Sequence, residues 1–282
     1  MLGSVRSRRV RVGVLGGVAL LGGMAGAEAP RSFAGFDRNE YPGDEALAGL
    51  RKQFAFTGYW LNNPPGASAN TWAGHRGRLV EAGFGFLVLY NGRLDGAIKG
   101  AGVAPGELAK QDAAEAVVSA RKEGFPRGTI LFLDQEEGGR LLPEQAAYLF
   151  GWTEAVAASG FRPGAYVSGQ PAPDGGGATI TTAEDVRQKT AAGHLHEVAL
   201  WVAQDACPPA PGCVVRPLAV AESGTSKSDT VAWQYAQSPR RGKVTQACAQ
   251  TYAADNNCYP AGESRIFVDL DTATSADPSH GR

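Results

Sequence analysis

Apolar, strand-like runs alternate with amphipathic helical stretches from one end of this 282-residue chain to the other. Eight runs are rich in β-branched, aromatic and aliphatic residues, as buried strands are. They are Phe33–Arg38, Phe54–Leu61, Phe84–Tyr90, Thr129–Asp134, Gly164–Ser168, Val198–Ala203, Val231–Tyr235 and Ile266–Leu270. Helices are predicted between them at Glu45–Gln53, Trp72–Ala82, Gly106–Lys122, Pro143–Ser159 and Ala183–Ala192. This order and the chain length predict an α/β fold, a single-domain (β/α)8 barrel of TIM type.

The main alternative is an open, doubly wound sheet. Such a sheet is expected to carry a glycine-rich phosphate turn after its first strand, and none follows Phe33–Asp37. Two late segments, Asp205–Thr230 and Ser238–Arg265, contain the cysteines and few apolar residues. We interpret them as disulfide-pinned loops that replace regular helices late in the barrel. Pro171–Gly177 is predicted to be a flexible loop, and the polar tail, residues 275–282, is expected to fray.

The amino terminus has the pattern of a cleaved export signal. Four arginines precede an apolar stretch, Val12–Ala27, that ends in the small residues Ala25-Gly26-Ala27. Residues 1–27 are therefore predicted to be removed, which leaves the barrel at 28–274 and no membrane span. We expect a protein that is secreted or periplasmic, in the cell envelope, and monomeric. The Arg8-Arg9 pair leaves both the general and the twin-arginine export routes open.

Charge and cysteine usage narrow the function further. Cleavage removes four arginines and no acid, leaving 23 basic and 28 acidic residues, without a basic stripe of the kind that binds nucleic acid. The four cysteines of an exported chain are predicted to form disulfides. Local pairing, Cys207–Cys213 and Cys248–Cys258, is the simplest of three connectivities. A zinc site would require closer ligand spacing, so no metal and no cofactor are predicted.

The run from Gly128 to Gly139 carries the strongest chemical signal. Because side chains alternate along a strand, Asp134 and Glu136 should share one face, while Gln135 and Glu137 point to the other. Two carboxyl groups in different environments can cleave a glycosidic bond: one is held protonated as the acid, and the other stays charged and stabilises the developing cation. An isolated Asp-x-Glu is more often a strand end that turns polar at the surface. The other strand ends favour the chemical interpretation.

In a TIM-type barrel, the active site lies where the strands end in loops. Acids stand at the ends of the first, fourth and eighth predicted strands, and should surround one pocket: Asp37, Asp134, Glu136, and Asp269 or Asp271. Aromatic and amide residues stand at the other strand ends: Tyr59, Trp60, Tyr90, Asn91, Tyr166, Trp201, Gln204, Trp233, Gln234 and Tyr235. Acids, aromatic platforms and amides suit a sugar ring, although each aromatic taken alone is more often part of the core.

Six motifs occur in the order seen in glycoside hydrolase family 25 lysozymes. They are Gly35-Phe-Asp37, Phe132-Leu-Asp-Gln-Glu136, Gly164-Ala-Tyr-Val-Ser168, Leu200-Trp-Val-Ala203, Trp233-Gln-Tyr235 and Val268-Asp-Leu-Asp271. The chain resembles still more closely a related family, the glycoside-hydrolase-like domain-of-unknown-function family 1906, which shares Gly-Phe-Asp and the Gly-Phe-Pro-x-Gly-Thr approach to the fourth strand. The resemblance spans roughly Ala34 to Thr272.

The resemblance implies a role for each acid. Glu136 would be the general acid, and Asp134 would orient the substrate N-acetyl group or stabilise the cationic centre. Asp37 and Asp269 would bind the sugar. The remaining residues assigned to substrate binding are Tyr59, Tyr90, Tyr166, Trp201, Gln204, Gln234 and Asp271.

Three functions are compatible with this sequence. The first is an exported hydrolase of peptidoglycan or another amino-sugar glycan. The second is a non-catalytic glycan-binding or cell-envelope protein on the same barrel, since a fold does not fix an activity. The third, an exported structural protein without a ligand, leaves the acids unexplained.

Overall fold

The computed structural model describes residue 1 and residues 31–205, 210, 212–248 and 250–282. Nearly all of the predicted leader, and Cys207, lie outside the described residues. Within them, eight strands form one closed barrel, with the spatial order β1-β10-β9-β8-β5-β4-β3-β2. The barrel strands are β1 (Phe33–Asp37), β2 (Phe56–Trp60), β3 (Gly85–Asn91), β4 (Ile130–Gln135), β5 (Arg162–Ser168), β8 (Ala199–Ala203), β9 (Thr230–Ala236) and β10 (Asp269–Ala273). The prediction of a single-domain, TIM-type α/β barrel is confirmed.

The last strand departs from a regular barrel of parallel strands. β10 is antiparallel to both β1 and β9, whereas the other neighbouring pairs of described barrel strands are parallel. It spans Asp269–Ala273 rather than the predicted Ile266–Leu270. Antiparallel neighbours need no helical crossover. The chain therefore leaves β9 and enters β10 at the same end of the barrel, and Asp269 lies at the beginning of its strand.

Helices cover the outside of the first two thirds of the barrel. They are α1 (Leu47–Arg51), α2 (Arg76–Glu81), α3 (Asp95–Gly100), α4 (Pro105–Glu123), α5 (Pro143–Ala158) and α6 (Thr182–Gly193). Proline begins both α4 and α5, where its missing N–H costs no helical hydrogen bond. Among the residues described after β8, the helical elements are a 3-10 turn at Val220–Ser223 and a short α7 (Gly242–Ala247). This agrees with the prediction that loops replace regular helices late in the barrel.

The predicted disulfide pairing is wrong. Cys213 is bonded to Cys258, which excludes both predicted pairs. Cys248 is also disulfide-bonded, and Cys207 lies outside the described residues. The disulfide and a 3.1 Å hydrogen bond from the Cys213 N–H to the Thr251 hydroxyl join the two late loops, so cysteines far apart in sequence come together. The spacing of the cysteines along the sequence does not predict that contact.

The carboxyl-terminal tail is ordered, contrary to the expected fraying. Ser279 is fully buried, its N–H donates to the carbonyl of Phe86, and its carbonyl accepts from the N–H of Ile130. The Ser279 hydroxyl also accepts a 3.0 Å hydrogen bond from the Val88 N–H. The tail thus packs on the first halves of β3 and β4, toward the end of the barrel opposite the strand ends that carry the acids.

The segment predicted as a flexible loop after β5 forms part of a small hairpin. Its strands are β6 (Ala172–Pro173) and β7 (Thr179–Ile180), which pair antiparallel. Asp174 in the turn accepts 2.5 and 2.7 Å hydrogen bonds from the guanidinium of Arg140, which fixes the hairpin to the loop after β4.

Candidate active site

A cavity of about 420 Å³ opens at the end of the barrel where β1, β4, β5, β8 and β9 finish. It contains four of the predicted acids together with aromatic and amide side chains. Its lining is Asp37, Arg38, Asn39, Glu40, Trp60, Pro65, Leu89, Asp134, Glu136, Tyr166, Trp201, Gln234, Gln237, Ser238, Phe267 and Asp269. A second cavity of about 790 Å³ shares Glu136, Tyr166 and Gln237 with it, so Glu136 lines two adjacent cavities.

The end of β4 presents the two central carboxyl groups. Asp134 is buried on this strand, and Glu136 follows the last strand residue and is exposed. Both line the 420 Å³ cavity. The Glu137 carboxylate points away from it and accepts hydrogen bonds from the Asp95 N–H at 2.9 Å and from the side-chain amide of Gln145. The alternation predicted from the sequence therefore continues past the end of the strand.

The pairing of β1 with β10 brings two more acids to the cavity. Asp37 and Asp269 are directly opposite each other in the antiparallel ladder. Gln234 on β9 donates from Nε2 to Asp37 at 2.8 Å and to Asp269 at 3.4 Å. Asp37 also lies beside Gly58, where an added Cβ would come within 2.7 Å of the Asp37 Cβ. A glycine on β2 thus leaves the space that the Asp37 side chain occupies.

A hydrogen-bonded layer supports these acids from inside the barrel. The Tyr166 hydroxyl donates to Gln234 Oε1 at 2.8 Å, which fixes the orientation of the amide. The Trp201 indole donates to Asp271 at 3.0 Å. Asp271 is fully buried, and it does not line either cavity. Asp271 therefore belongs to the support of the site rather than to its surface.

Burial dominates the electrostatics of the acids. It raises the pKa of Asp37 to about 6, against which the hydrogen bond from Gln234 acts to lower it. Burial, and then the charges of Glu136 and Asp37, raise the pKa of Asp134 well above its usual range. Burial and the charge of Asp37 do the same to the pKa values of Asp269 and Asp271. Partial loss of solvation at the cavity mouth raises the pKa of Glu136.

This arrangement can hold protons near neutral pH. Neighbouring carboxyl groups that interact strongly share protons as a unit, so the cluster carries fewer negative charges than it has carboxyl groups. A carboxyl group with a raised pKa can donate a proton to a leaving oxygen, and an ionised neighbour can stabilise a developing cation.

Besides Asp271, three more residues that the sequence assigned to substrate binding lie outside both cavities. Tyr59 is on the outer face of β2, where its hydroxyl bonds to Glu123 at 2.5 Å and its ring packs on Trp72, Phe86 and Phe125. Tyr90 also faces outward, and its hydroxyl donates to Glu115 at 3.1 Å. Gln204 lines neither cavity. Strands of a parallel barrel covered by helices are buried on both faces, so residues on both faces are apolar. The sequence therefore does not show which aromatic residues of a strand face the inside of the barrel.

Other residues complete the cavity. Trp60, next to Tyr59, lines it and donates from its indole to the Arg38 carbonyl at 3.1 Å. The sequence placed Trp60 at a strand end without choosing it over Tyr59. Arg38, Gln237 and Phe267 were not predicted. Arg38 directly follows Asp37, and this neighbour could have identified it from the sequence. Gln237 and Phe267 come to the cavity through contacts between residues far apart in sequence, which local patterns do not predict.

Neither a metal centre nor a membrane-spanning helix is found in the part of the chain that the structure describes. There, no group of three or more histidine, cysteine, aspartate or glutamate residues has the arrangement to hold a metal ion. None of the described helices is long and apolar enough to cross a bilayer.

Comparison with known proteins shows the family. The model of the family described as "Rv2525c-like, glycoside hydrolase-like domain" matches residues 56–207, which is more than half of the chain. The matched range contains Asp134, Glu136, Tyr166 and Trp201, and it leaves Asp37 and Asp269 outside. The family resemblance drawn from the sequence motifs is confirmed. No curated protein sequence matches the chain significantly.

Solved structures share the fold. An uncharacterized protein of B. stearothermophilus has a TM-score of 0.50 and 21% identity, over 85% of this chain and 95% of that one. The Mycobacterium tuberculosis Tat-secreted protein Rv2525c in complex with L-tartrate has a TM-score of 0.51 and 11% identity, over 86% of this chain and 95% of that one. In complex with HEPES, Rv2525c has a TM-score of 0.50 and 12% identity, over 89% and 97% of the two chains.

Proposed function

This chain belongs to the Rv2525c-like, glycoside hydrolase-like family, and from that premise we propose that it is an exported hydrolase of peptidoglycan or another amino-sugar glycan, with Glu136 as the general acid. The observation that carries the proposal is the position of Glu136. This carboxyl group is exposed where two adjacent cavities share a wall, and one of them also contains the carboxyl groups of Asp134, Asp37 and Asp269. A glycan chain that crosses from one cavity to the other passes Glu136.

Glu136 is suited to donate a proton. Partial loss of solvation raises the pKa of its carboxyl group, which favours the protonated form that a general acid needs. Among the described residues, its side chain makes no hydrogen bond, so the proton is not committed to another protein group. When Glu136 donates its proton to the glycosidic oxygen, the bond from that oxygen to the anomeric carbon breaks and the leaving sugar departs as an alcohol. A water molecule then adds to the anomeric carbon, and its released proton restores the acid.

Asp134 serves the other half of the reaction. Its buried Oδ1 has no hydrogen-bond partner among the described residues and its carboxyl group lines the cavity. An unpartnered buried polar atom is costly unless a ligand satisfies it. When it carries the proton, Asp134 can donate to a substrate N-acetyl oxygen. When ionised, it can stabilise the oxocarbenium-like centre.

The cavity walls offer surfaces for sugar rings. Phe267 is 40% exposed, and Trp60 and Tyr166 lie deeper in the same cavity. Aromatic faces stack on the C–H face of a sugar, while the amides and acids accept and donate hydrogen bonds to its hydroxyl groups. This combination supports a glycan as the ligand of the site.

Two features of this chain and one of a relative support export. Residues 1–27 have the pattern of a signal peptide. The Cys213–Cys258 disulfide is typical of proteins in oxidising compartments. Rv2525c, after which the family is named, is a Tat-secreted protein.

A non-catalytic glycan-binding protein is the second candidate, and the buried acids favour it. Asp134, Asp269 and Asp37 all have raised pKa values because of burial. Neutral carboxyl groups in a concave pocket both donate and accept hydrogen bonds, as binding of sugar hydroxyl groups requires.

One experiment separates the two candidates. The purified mature chain is incubated with peptidoglycan and with neutral amino-sugar oligomers, and new reducing ends and retained glycan are measured in parallel. Reducing ends that appear in proportion to enzyme and time support hydrolysis. Retention without new ends supports binding alone, and the absence of both excludes the proposed function.

A further inference from the structure

Arg38 is a buried cation in the wall of the site. Its side chain is only 9% exposed, it lies in the 420 Å³ cavity with Asp134 and Glu136, and it directly follows Asp37 on the chain. Its Nε is buried without a hydrogen-bond partner among the described residues. A guanidinium group that has lost most of its hydration is expected to be well paired, and an unsatisfied donor is unusual in a native structure.

The only charged partner of Arg38 among the described residues is weak. Glu40 lies 3.5 Å from Nη2, and its side chain is 75% exposed. Exposed carboxylates contribute little to an ion pair, because water screens the charge. Burial lowers the pKa of Arg38 more than the charge of Glu40 raises it, so Glu40 does not replace the lost solvation.

The guanidinium is held in place by an aromatic ring. Its carbon lies 5.4 Å from the centroid of Phe267, within the range of a cation–π interaction. Phe267 is partly exposed in the same cavity. The planar guanidinium of Arg38 therefore lies beside the Phe267 ring, on which a sugar can stack, and its Nε–H is still able to donate a hydrogen bond.

We propose that Arg38 binds a carboxylate carried by the sugar in this cavity, so that the site prefers acidic sugars over neutral ones. The inference rests on the proposed function, because it names the substrate class of the same site. Guanidinium groups pair with carboxylates through two parallel hydrogen bonds, which a neutral amide cannot reproduce. Arg38 adjoins Asp37 and shares the cavity with Glu136, which places the acidic sugar at the reaction centre rather than at a distant subsite.

The proposal distinguishes two forms of peptidoglycan. The lactyl carboxyl group of its acidic amino sugar is a free carboxylate in a peptide-free strand and an amide where a peptide is attached. Arg38 therefore selects strands from which the peptide has been removed. An amide-hydrolysing reaction, which converts amide and water into carboxylate and amine, must then supply the preferred substrate.

The test uses two probes that differ only in charge. The first is the peptide-free peptidoglycan disaccharide with its free lactyl carboxylate, and the second is the same disaccharide with that group converted to a carboxamide. Binding to the full mature chain is measured by calorimetry at neutral pH. We expect the carboxylate to bind about ten-fold or more tightly than the carboxamide, the difference that one charge-assisted pair makes.

Variants assign the preference to Arg38. Arg38→Gln should remove the preference while retaining binding of the carboxamide. Glu40→Gln removes the competing carboxylate at an exposed position, so it should leave the fold intact and strengthen binding of the carboxylate probe. Arg162→Gln is the matched control. It removes one exposed positive charge at the beginning of β5, at the end of the barrel opposite the cavity, and should leave the preference unchanged.

The binding measurements distinguish a failure of the inference about Arg38 from a failure of the proposed function. Equal binding of the two probes to the wild-type chain overturns the inference about Arg38 and leaves glycan recognition standing. Failure to bind either probe overturns both. If Arg38→Gln does not fold, Arg38→Lys decides the question. Lysine keeps the charge but cannot form the two parallel hydrogen bonds, so an undiminished preference for the carboxylate in that variant contradicts the proposal.

Discussion

Gln234 and Asp37, 197 residues apart in sequence, are joined by a 2.8 Å hydrogen bond from Nε2 of the amide to Oδ2 of the carboxyl group. The same amide accepts from the Tyr166 hydroxyl, so one side chain on β9 connects the first strand with the fifth. This bond lowers the pKa of Asp37, against the larger effect of burial. The proton distribution in the site thus depends on a neutral residue.

Replacing Gln234 with leucine should destabilise the barrel and raise the pKa of Asp37 above its present value of about 6. The change leaves the buried Tyr166 hydroxyl and Asp37 without this partner, which costs about 1–3 kcal/mol for an unsatisfied buried group. Chemical denaturation measures the first effect, and NMR titration of the Asp37 carboxyl carbon measures the second. Gln237→Leu, which loses only a 3.3 Å bond to Tyr166, is the control and should change both less.

The buried acids also predict the direction in which stability changes with pH. A raised folded-state pKa means that the folded protein retains a proton that the unfolded chain releases, so the free energy of unfolding falls as pH rises. For Asp37, this fall takes place between pH 3.8 and about 6. Over that range it lowers the free energy of unfolding by roughly 3 kcal/mol. Asp134, Asp269 and Asp271 extend the fall to higher pH, because their pKa values are raised further above the usual range.

Asp271→Asn tests this directly. Asparagine can still accept the hydrogen bond from the Trp201 indole, but it has no charge to bury. We expect a higher free energy of unfolding than wild type at pH 7.5, little change at pH 4, and a flatter profile between them. The exposed Glu45→Gln variant should follow the wild-type profile. Destabilisation by Asp271→Asn at pH 7.5 would show that the carboxylate is stabilised by the fold.

The disulfide gives a prediction about stability. Non-reducing peptide mapping should recover Cys213 linked to Cys258, and recovery of Cys213 with any other cysteine contradicts the structure. The bond closes a loop with a sequence separation of 45 residues. The chain-entropy model assigns about 4 kcal/mol to such a loop. Cys213→Ser combined with Cys258→Ser should therefore lower the free energy of unfolding by an amount of that order.

The sequence predicted the barrel because both periodicities, of strands and helices, are local properties. It also predicted which way Asp134, Glu136 and Glu137 point, since alternation depends only on chain geometry. It failed for Tyr59 and Tyr90 because β2 and β3 are buried on both faces, and hydrophobicity then carries no information about direction.

The features contributed by the late loops were beyond local reasoning. Three features depend on contacts between residues far apart in sequence: the pairing of Cys213 with Cys258, the reversed direction of β10, and the place of Phe267 beside Arg38. Asp269 was nonetheless predicted at the correct end of the barrel. It arrives there at the start of an antiparallel strand, rather than at the end of a parallel one.

The central claim is that Glu136 supplies the proton for cleavage of the glycan. Its most direct test is the rate of new reducing ends from peptidoglycan for wild type, Glu136→Gln and Glu137→Gln, with glycan binding measured alongside. We predict a fall of about 10²–10⁴-fold for Glu136→Gln with binding retained, because glutamine preserves the shape and removes the transferable proton. Glu137→Gln should stay near the wild-type rate, since its side chain points away from the cavity. A wild-type activity that Glu136→Gln retains and Glu137→Gln abolishes would contradict the account.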